Sequence, residues 1–395
     1  MKAKASSAIG LSPLVDHVVI IVKENHTYDN YFGTFPNSEG DASLAHEPNP
    51  PNVDPNHQHQ TWMIRDQDQR YHVQYAEADI PTYFELARQY TICDHFFSEV
   101  AGPSTPSHLM LITADSPVIN NPPFSSSPTN LYDLKSFPLA LQKAGLTWGN
   151  YGGYAFHYIR ELAHLPSNHN RDLFAHQAAS GQLPSVSWVY GDGNPPYSEH
   201  PTQNVTQGSE WTGQQIKAIV DGGLWPRTVI FVTWDDWGGW YDHVVPPNVE
   251  KWDSKRAQYP GDAHPEFNGQ QFRYGSRVPC LVICPYARQG FVSKTQRSHI
   301  SLLKFCQTLF GIPSINPRLD SADDMSDCFD PTQAPLAQPK LPAPVSLGRG
   351  GAAPGPVSPG KSAKPKPRPK APAKPKRSSE PKPKPGRPHP RRPHQ

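Results

Sequence analysis

Residues 15–33, VDHVVIIVKENHTYDNYFG, decide the fold. Val18 to Val22 is a short continuous run of β-branched apolar residues, the pattern of a strand buried on both faces. Glu24 and Asn25 follow it directly, and Thr27 to Phe32 is able to open a helix. In open α/β sheets, ligands gather just beyond the carboxyl ends of strands, so this acid–amide pair stands where chemistry is usually done. A second stretch repeats the design: TVIFV at 228–232 runs into Thr233-Trp234-Asp235-Asp236. Two strand ends then offer four oxygen-bearing side chains, a donor set suited to a hard cation.

Working outward, further strands are expected over 91–100, 146–151, 184–190 and 280–283. Helices are expected from Pro81, after Ser104, over 131–144, 171–180 and 211–220, and over 298–311. Pro81 suits a first helical turn, and Leu302, Leu303, Cys306, Leu309 and Phe310 share one helical face. Strands alternating with helices predict an α/β fold, a mostly parallel sheet sandwiched by helices. The expected organisation is an N-terminal extension over 1–14, one domain over 15–330, and a Pro/Lys/Arg-rich tail over 331–395. That tail reads as disordered and locally polyproline II, because its composition supports no core.

Charge divides the same way. Of 37 Lys and Arg and 35 Asp and Glu, 13 and one respectively lie in 361–395, which leaves 24 against 34 in residues 1–360, a net charge of −10. An acidic body does not draw phosphorylated ligands over distance, so anion binding there needs a local site or a bound cation. The basic tail can hold an anionic polymer or membrane surface through charge alone, or can be a solvating linker. No apolar run reaches the roughly 18 residues a membrane-spanning helix needs. The opening MKAKASSAIGLSPL has lysines but no apolar core of a signal peptide. Five scattered cysteines at 93, 280, 284, 306 and 328 make no disulfide framework or zinc motif and read as core residues.

Between the two ligand stretches, Ala101-Gly102-Pro103-Ser104-Thr105-Pro106-Ser107-His108 feeds an apolar helical start. Ser104 has two readings. It is a helix N-cap with Pro106 just inside, or it is a nucleophile at a helix N-terminus whose free N–H groups also hold an anion. The polar loop over 37–68 carries His46, His57 and His59, and loops this long in compact domains are often functional.

Taken together these segments resemble the bacterial phosphoesterase family of phospholipases C and certain acid phosphatases, within the alkaline phosphatase superfamily. Glu24 to Gly33 is similar to its E-N-R-S-F-D-x-Y-F-G opening, Gly102 to Ser107 to its nucleophile turn, and Glu199-His200-Pro201 to its E-H-P element. Thr233 to Pro247 is similar to its long T-[YW]-D-E-x-G-G-x-[YF]-D-H-V-x-P-P motif, and Asp54 to His57 to a D-P-G-H segment. His108 stands where many relatives have Arg, Asp236 replaces the common Glu, and a K-M-D-G-F segment is absent.

The resemblance implies an alkaline phosphatase-like fold and a metal-dependent hydrolase of a phosphomonoester or phospholipid-type diester. It makes Glu24, Asn25, Asp235 and Asp236 ligands of one divalent ion (Ca²⁺, Mg²⁺, Mn²⁺ or Zn²⁺). Ser104 becomes both nucleophile and metal neighbour, passing through a phosphoserine. It gives His200, with His57 second, the phosphate contact or the protonation of the leaving oxygen. Glu199, His108 and His243 are expected on the substrate side, with a loop brace the competing role for His243. His299, ahead of the last helix, is expected to cap or pack. A secreted or periplasmic setting is also implied. The rivals are a sulfatase- or phosphonate-directed esterase on the same scaffold, which the Ser104-Thr-Pro-Ser-His108 spacing approaches, and a non-catalytic binder working through the tail.

Overall fold

The computed structural model describes residues 10–123 and 128–343. These fall within a unit spanning Met1–Val345; the tail from 344 onward lies outside the described residues. At its centre is an eight-stranded sheet. From edge to edge its strands are Phe291–Ser293, Thr91–Cys93, Cys280–Ile283, Thr228–Trp234, His17–Lys23, Val186–Tyr190, Trp148–Tyr151 and Asn168–His169. Every pairing is parallel except the two made by Cys280–Ile283. Successive residues of a strand face opposite sides, and every residue of Thr228–Trp234 and Val186–Tyr190 is buried, so both faces of the sheet are covered. The expected mostly parallel α/β sheet is therefore present, with one antiparallel strand that the apolar run at 280–283 does not betray.

The first strand lies in the middle, between Thr228–Trp234 and Val186–Tyr190. Its register pairs Lys23 with Trp234 and Val22 with Tyr190, which ends all three strands at one level. Glu24-Asn25 and Asp235-Asp236 leave the sheet side by side, tied by Asp235 N–H donating to Lys23 O at 3.0 Å. The turn beyond Asp236 needs its glycine: Gly238 sits at φ +61°, and a Cβ there would lie 2.0 Å from Asn25 O.

Among the helices that depart from their expected bounds, three do so for local reasons that can be named. The segment expected to be helical over 131–144 forms only Phe137–Lys143, with Pro138 in its first turn. The helix expected from Trp211 starts at Val205, because Asn204 caps it by accepting from Gln207 N–H. Ile300–Phe310 stops at Gly311, which takes the left-handed conformation at φ +67°. All five cysteines are free and buried. Residues 331–343, read from composition as the start of the tail, run along the body: Leu336 and Leu341 pack on the core, Trp225 Nε1 donates to Leu336 O at 3.3 Å and Tyr90 OH to Ala337 O at 2.8 Å. None of the described helices is long and apolar enough to cross a membrane.

Candidate active site

The helix Ser104–Thr113 is buried along its whole length and points its N-terminus at the two ligand strand ends. Pro103 precedes the helix and Ser104 is its first residue, making no side-chain cap, so the N-cap reading of Ser104 is not what the structure has. Its hydroxyl turns outward instead. Ser104 Oγ donates to Asp236 Oδ2 at 2.9 Å and lies 3.3 Å from Asn25 Oδ1 and 3.5 Å from Glu24 Oε2. The five residues expected around one ion are thus brought together.

Asn25 holds a left-handed backbone at φ +66°, a conformation Asn tolerates better than most residues. Its N–H donates to Asp235 Oδ1 at 2.9 Å, which locks the two strand-end loops to each other. The carboxylates of Glu24, Asp235 and Asp236 are buried together. Burial, and then the charge of Asp235, push Glu24 and Asp236 well above the usual carboxylate range. Asp235 stays low, because the pull of His108 outweighs its own burial. Burial alone disfavours a charged His108, yet Asp235 and Glu24 hold it up to about 10. Three carboxylates against one imidazolium is a site short of positive charge, and Asp235 Oδ2 is buried without a hydrogen-bond donor. A divalent cation fits this donor set.

Above these groups opens a cavity of about 370 Å³, lined by Glu24, His57, Ser104, Thr105, Asn121, Pro122, Gly152, Tyr154, Asp192 and His200. The two expected histidines meet there, ring centroids 6.1 Å apart. His57 donates from Nδ1 to Pro55 O at 2.8 Å, which turns Nε2 toward Asn25 Nδ2 at 3.4 Å. His200 donates from Nδ1 to Pro201 O at 2.6 Å, leaving Nε2 as the nitrogen available for exchange.

A scan of family models matches the phosphoesterase family over residues 15–61 and 51–313. The chain belongs to the phosphoesterase family. Among curated proteins, this phosphoesterase-family chain is similar to a non-hemolytic phospholipase C of Pseudomonas aeruginosa, 27% identical over 83% of this chain and 59% of that protein. It is also similar to phospholipase C B of Mycobacterium tuberculosis, 26% identical over 83% of this chain and 81% of that protein. The chain spans only 59% and 61% of the Pseudomonas and Burkholderia pseudomallei phospholipases C it matches. Among solved structures, murine ectonucleotide pyrophosphatase/phosphodiesterase 5 aligns with TM-score 0.47 at 11% identity, over 80% of this chain and 100% of that one. A Vibrio parahaemolyticus protein of the alkaline phosphatase superfamily aligns with TM-score 0.39 at 12% identity, over 79% of this chain and 70% of that one.

Three residues expected on the substrate side of this phosphoesterase-family site lie elsewhere. Glu199 is fully buried: its carboxylate is 3.1 Å from Lys23 Nζ and accepts from Tyr83 OH at 2.5 Å, Tyr31 OH at 2.9 Å and Trp234 Nε1 at 3.1 Å. Its four partners occupy both carboxylate oxygens. His243 is outside the cavity and donates from Nδ1 and its backbone N–H to Asp29 Oδ2 at 2.6 and 2.7 Å. Arg277 bridges Asp29 and Asp242 beside it at 3.0 and 2.8 Å, so a guanidinium balances that second acidic cluster, an arrangement that suits the brace reading of His243. His108 lies below the cavity floor, with Nε2 3.1 Å from both Glu24 Oε1 and Asp235 Oδ2. His299 is a packing residue, donating from Nε2 to Trp234 O at 2.8 Å and accepting from Glu99 N–H at 3.2 Å.

Six lining residues, Thr105, Asn121, Pro122, Gly152, Tyr154 and Asp192, were not among the expected site residues. Asp192 comes two residues after the Val186–Tyr190 strand, beside the first strand, so the strand-end rule applied a third time would have found it. Asn121 accepts from Thr105 N–H at 2.7 Å, and Tyr154 OH is 3.0 Å from Thr105 Oγ1. Asn121 and Tyr154 have no sequence signature; only the tertiary path brings them to the helix start, whereas Thr105 follows Ser104 directly.

Proposed function

We propose that this chain hydrolyses phosphate esters through a phosphoserine on Ser104. The observation that carries the reading is the placement of Ser104 Oγ at the start of a buried helix, 2.9 Å from Asp236 and facing a cavity that also holds His57 and His200. Glu24, Asn25, Asp235, Asp236 and Ser104 would hold the divalent ion. When bound, it stabilises the serine alkoxide and offsets negative charge on the phosphoryl oxygens.

The chain's own groups account for the rest. Ser104 passes its proton to Asp236 and its oxygen attacks phosphorus, while the bond to the leaving oxygen breaks. The positive end of the Ser104–Thr113 helix dipole favours the phosphoryl anion next to it, although Thr105 N–H is already taken by Asn121 and Pro106 has none. His200 gives the leaving oxygen a proton from Nε2, with His57 as the second candidate. In the second half the same imidazole takes a proton from water, water attacks phosphorus, and Ser104 regains its proton as phosphate leaves. The cavity suits a phosphoryl group with a compact part of its alcohol, the remainder of a larger ester lying outside. Relatives named phospholipase C make a phospholipid-type diester the first class to try.

The test is a panel of nitrophenyl phosphate, bis-nitrophenyl phosphate, nitrophenyl sulfate and phosphatidylcholine vesicles, run on protein reconstituted with a divalent ion. Release from at least one phosphate ester, with sulfate turned over far more slowly, supports the reading. Faster sulfate turnover, or none from any ester, overturns it.

A further inference from the structure

We propose that His108 Nε2 is itself a ligand of the divalent ion, in a set with Glu24 and Asp235. This rests on the metal-dependent reading above and goes beyond it, because it adds a nitrogen donor to a site otherwise composed of oxygens. Three ligating atoms from three separate elements converge here: Glu24 Oε1 from the end of the first strand, Asp235 Oδ2 from the end of the parallel neighbour, and His108 Nε2 from the first turn and a half of the Ser104–Thr113 helix. Nε2 is 3.1 Å from each oxygen. That spacing is what two donors have around one first-row ion at bond lengths of about 2.0–2.2 Å.

The hydrogen-bond account points the same way. Of the two oxygens 3.1 Å from Nε2, only Glu24 Oε1 meets hydrogen-bond geometry with it; to ligate a cation, Nε2 releases its proton to solvent and the neutral ring keeps the one on Nδ1. Asp235 Oδ2 is left buried and without a donor, aimed at the same point. A shared cation satisfies both carboxylates where one N–H satisfies one. Ring orientation does not depend on a hydrogen bond at the far nitrogen, since Nδ1 has no partner; it is set by packing between Tyr154 and Tyr190, centroids 5.1 and 5.5 Å away. A neutral imidazole can ligate a cation where a guanidinium, never neutral, could not, so His at this position decides the kind of site. An imidazole donor shifts preference from Ca²⁺ and Mg²⁺ toward Mn²⁺ and Zn²⁺.

The experiment uses the full chain loaded with Mn²⁺ and reads nitrogen coupling to the ion by electron spin-echo modulation. Metal affinities are measured alongside by competition. Wild type is expected to show imidazole nitrogen coupling, and to bind Zn²⁺ and Mn²⁺ ahead of Ca²⁺ and Mg²⁺. His108→Gln and His108→Arg are expected to lose the coupling and to bind Zn²⁺ roughly tenfold or more weakly, with Ca²⁺ affinity little changed. His57→Gln and His200→Gln are expected to keep the coupling, and they settle the assignment if the His108 variants do not fold. Bound Mn²⁺ without nitrogen coupling in wild type overturns the proposal, as does coupling that survives His108→Gln or vanishes in His57→Gln or His200→Gln. A negative spectrum with ion bound and Ser104 still phosphorylated during turnover removes this inference alone; failure to bind any ion removes the metal-dependent reading with it.

Discussion

Glu199→Gln separates a buried brace from a substrate contact. The change keeps the side chain's shape but removes its charge, leaving Lys23 Nζ without its counter-ion 3.1 Å away in a place with no solvent exposure. The remaining bonds of Lys23, to Tyr197 O and to Gly208 O at 3.2 Å, are neutral carbonyl contacts and do not balance an ammonium. A glutamine also presents one acceptor oxygen where the carboxylate presents two, so one pair of donors, Tyr31 with Trp234 or Tyr83 with Lys23, meets an NH₂. Breaking a buried pair on one side costs about 3–5 kcal/mol. For a body of this size that is a fall in Tm on the order of 10 °C. Calorimetry gives the Tm, and nitrophenyl phosphate kinetics well below it give KM, which should stay within about threefold of wild type. Lys23→Gln with Glu199→Gln should recover part of the loss, since no lone charge remains. A wild-type Tm with KM raised tenfold or more would refute this reasoning and return Glu199 to the substrate.

Stripping divalent ions with a chelator should lower both Tm and turnover, and re-adding ion should restore both, because binding to the folded state alone stabilises it. Asp235→Asn should reduce occupancy in elemental analysis. Glu250 is pulled down to about 2 despite its burial by Arg318, Arg256 and Arg273, so its stabilising contribution is present above its ordinary value of 4.5 and is lost as pH falls through about 2. The stability gap between wild type and Glu250→Gln, on the order of 2 kcal/mol at pH 7 by urea unfolding, should shrink steadily below pH 4.5; a gap constant to pH 2 would contradict it. Ending the chain at 343 should leave Tm unchanged, whereas ending it at 330 should lower it, since Leu336 and Leu341 pack on the core.

The ligand strands and the Ser104 turn were legible because each is local: a buried apolar run, a polar pair at its end, a Gly-Pro turn before a helix. Register then did what sequence alone does not state, setting Lys23 opposite Trp234 so that Glu24-Asn25 and Asp235-Asp236, the four candidate ligands, leave the sheet side by side. What was misread depends on distant partners. Glu199-His200 are adjacent in sequence, yet the left-handed backbone of Glu199, φ +74°, sends one side chain into the Lys23 and tyrosine cluster while the other lines the cavity. Likewise the choice between a substrate-side and a brace role for His243 turns on Arg277, 35 residues beyond Asp242, which pairs with that aspartate. The antiparallel direction of Cys280–Ile283 is also invisible locally, since a strand buried on both faces looks the same in either sense.

The central claim is the covalent role of Ser104, and acid-quenched turnover tests it most directly. Wild type stopped during hydrolysis of a labelled phosphate ester should carry phosphate on the peptide containing Ser104. Ser104→Ala should fold with a Tm near wild type, because the hydroxyl caps nothing, and should carry no label. An unlabelled Ser104 peptide during steady turnover, or a Ser104→Ala variant that keeps more than about a tenth of the wild-type rate, would contradict the account and make water the direct attacking group.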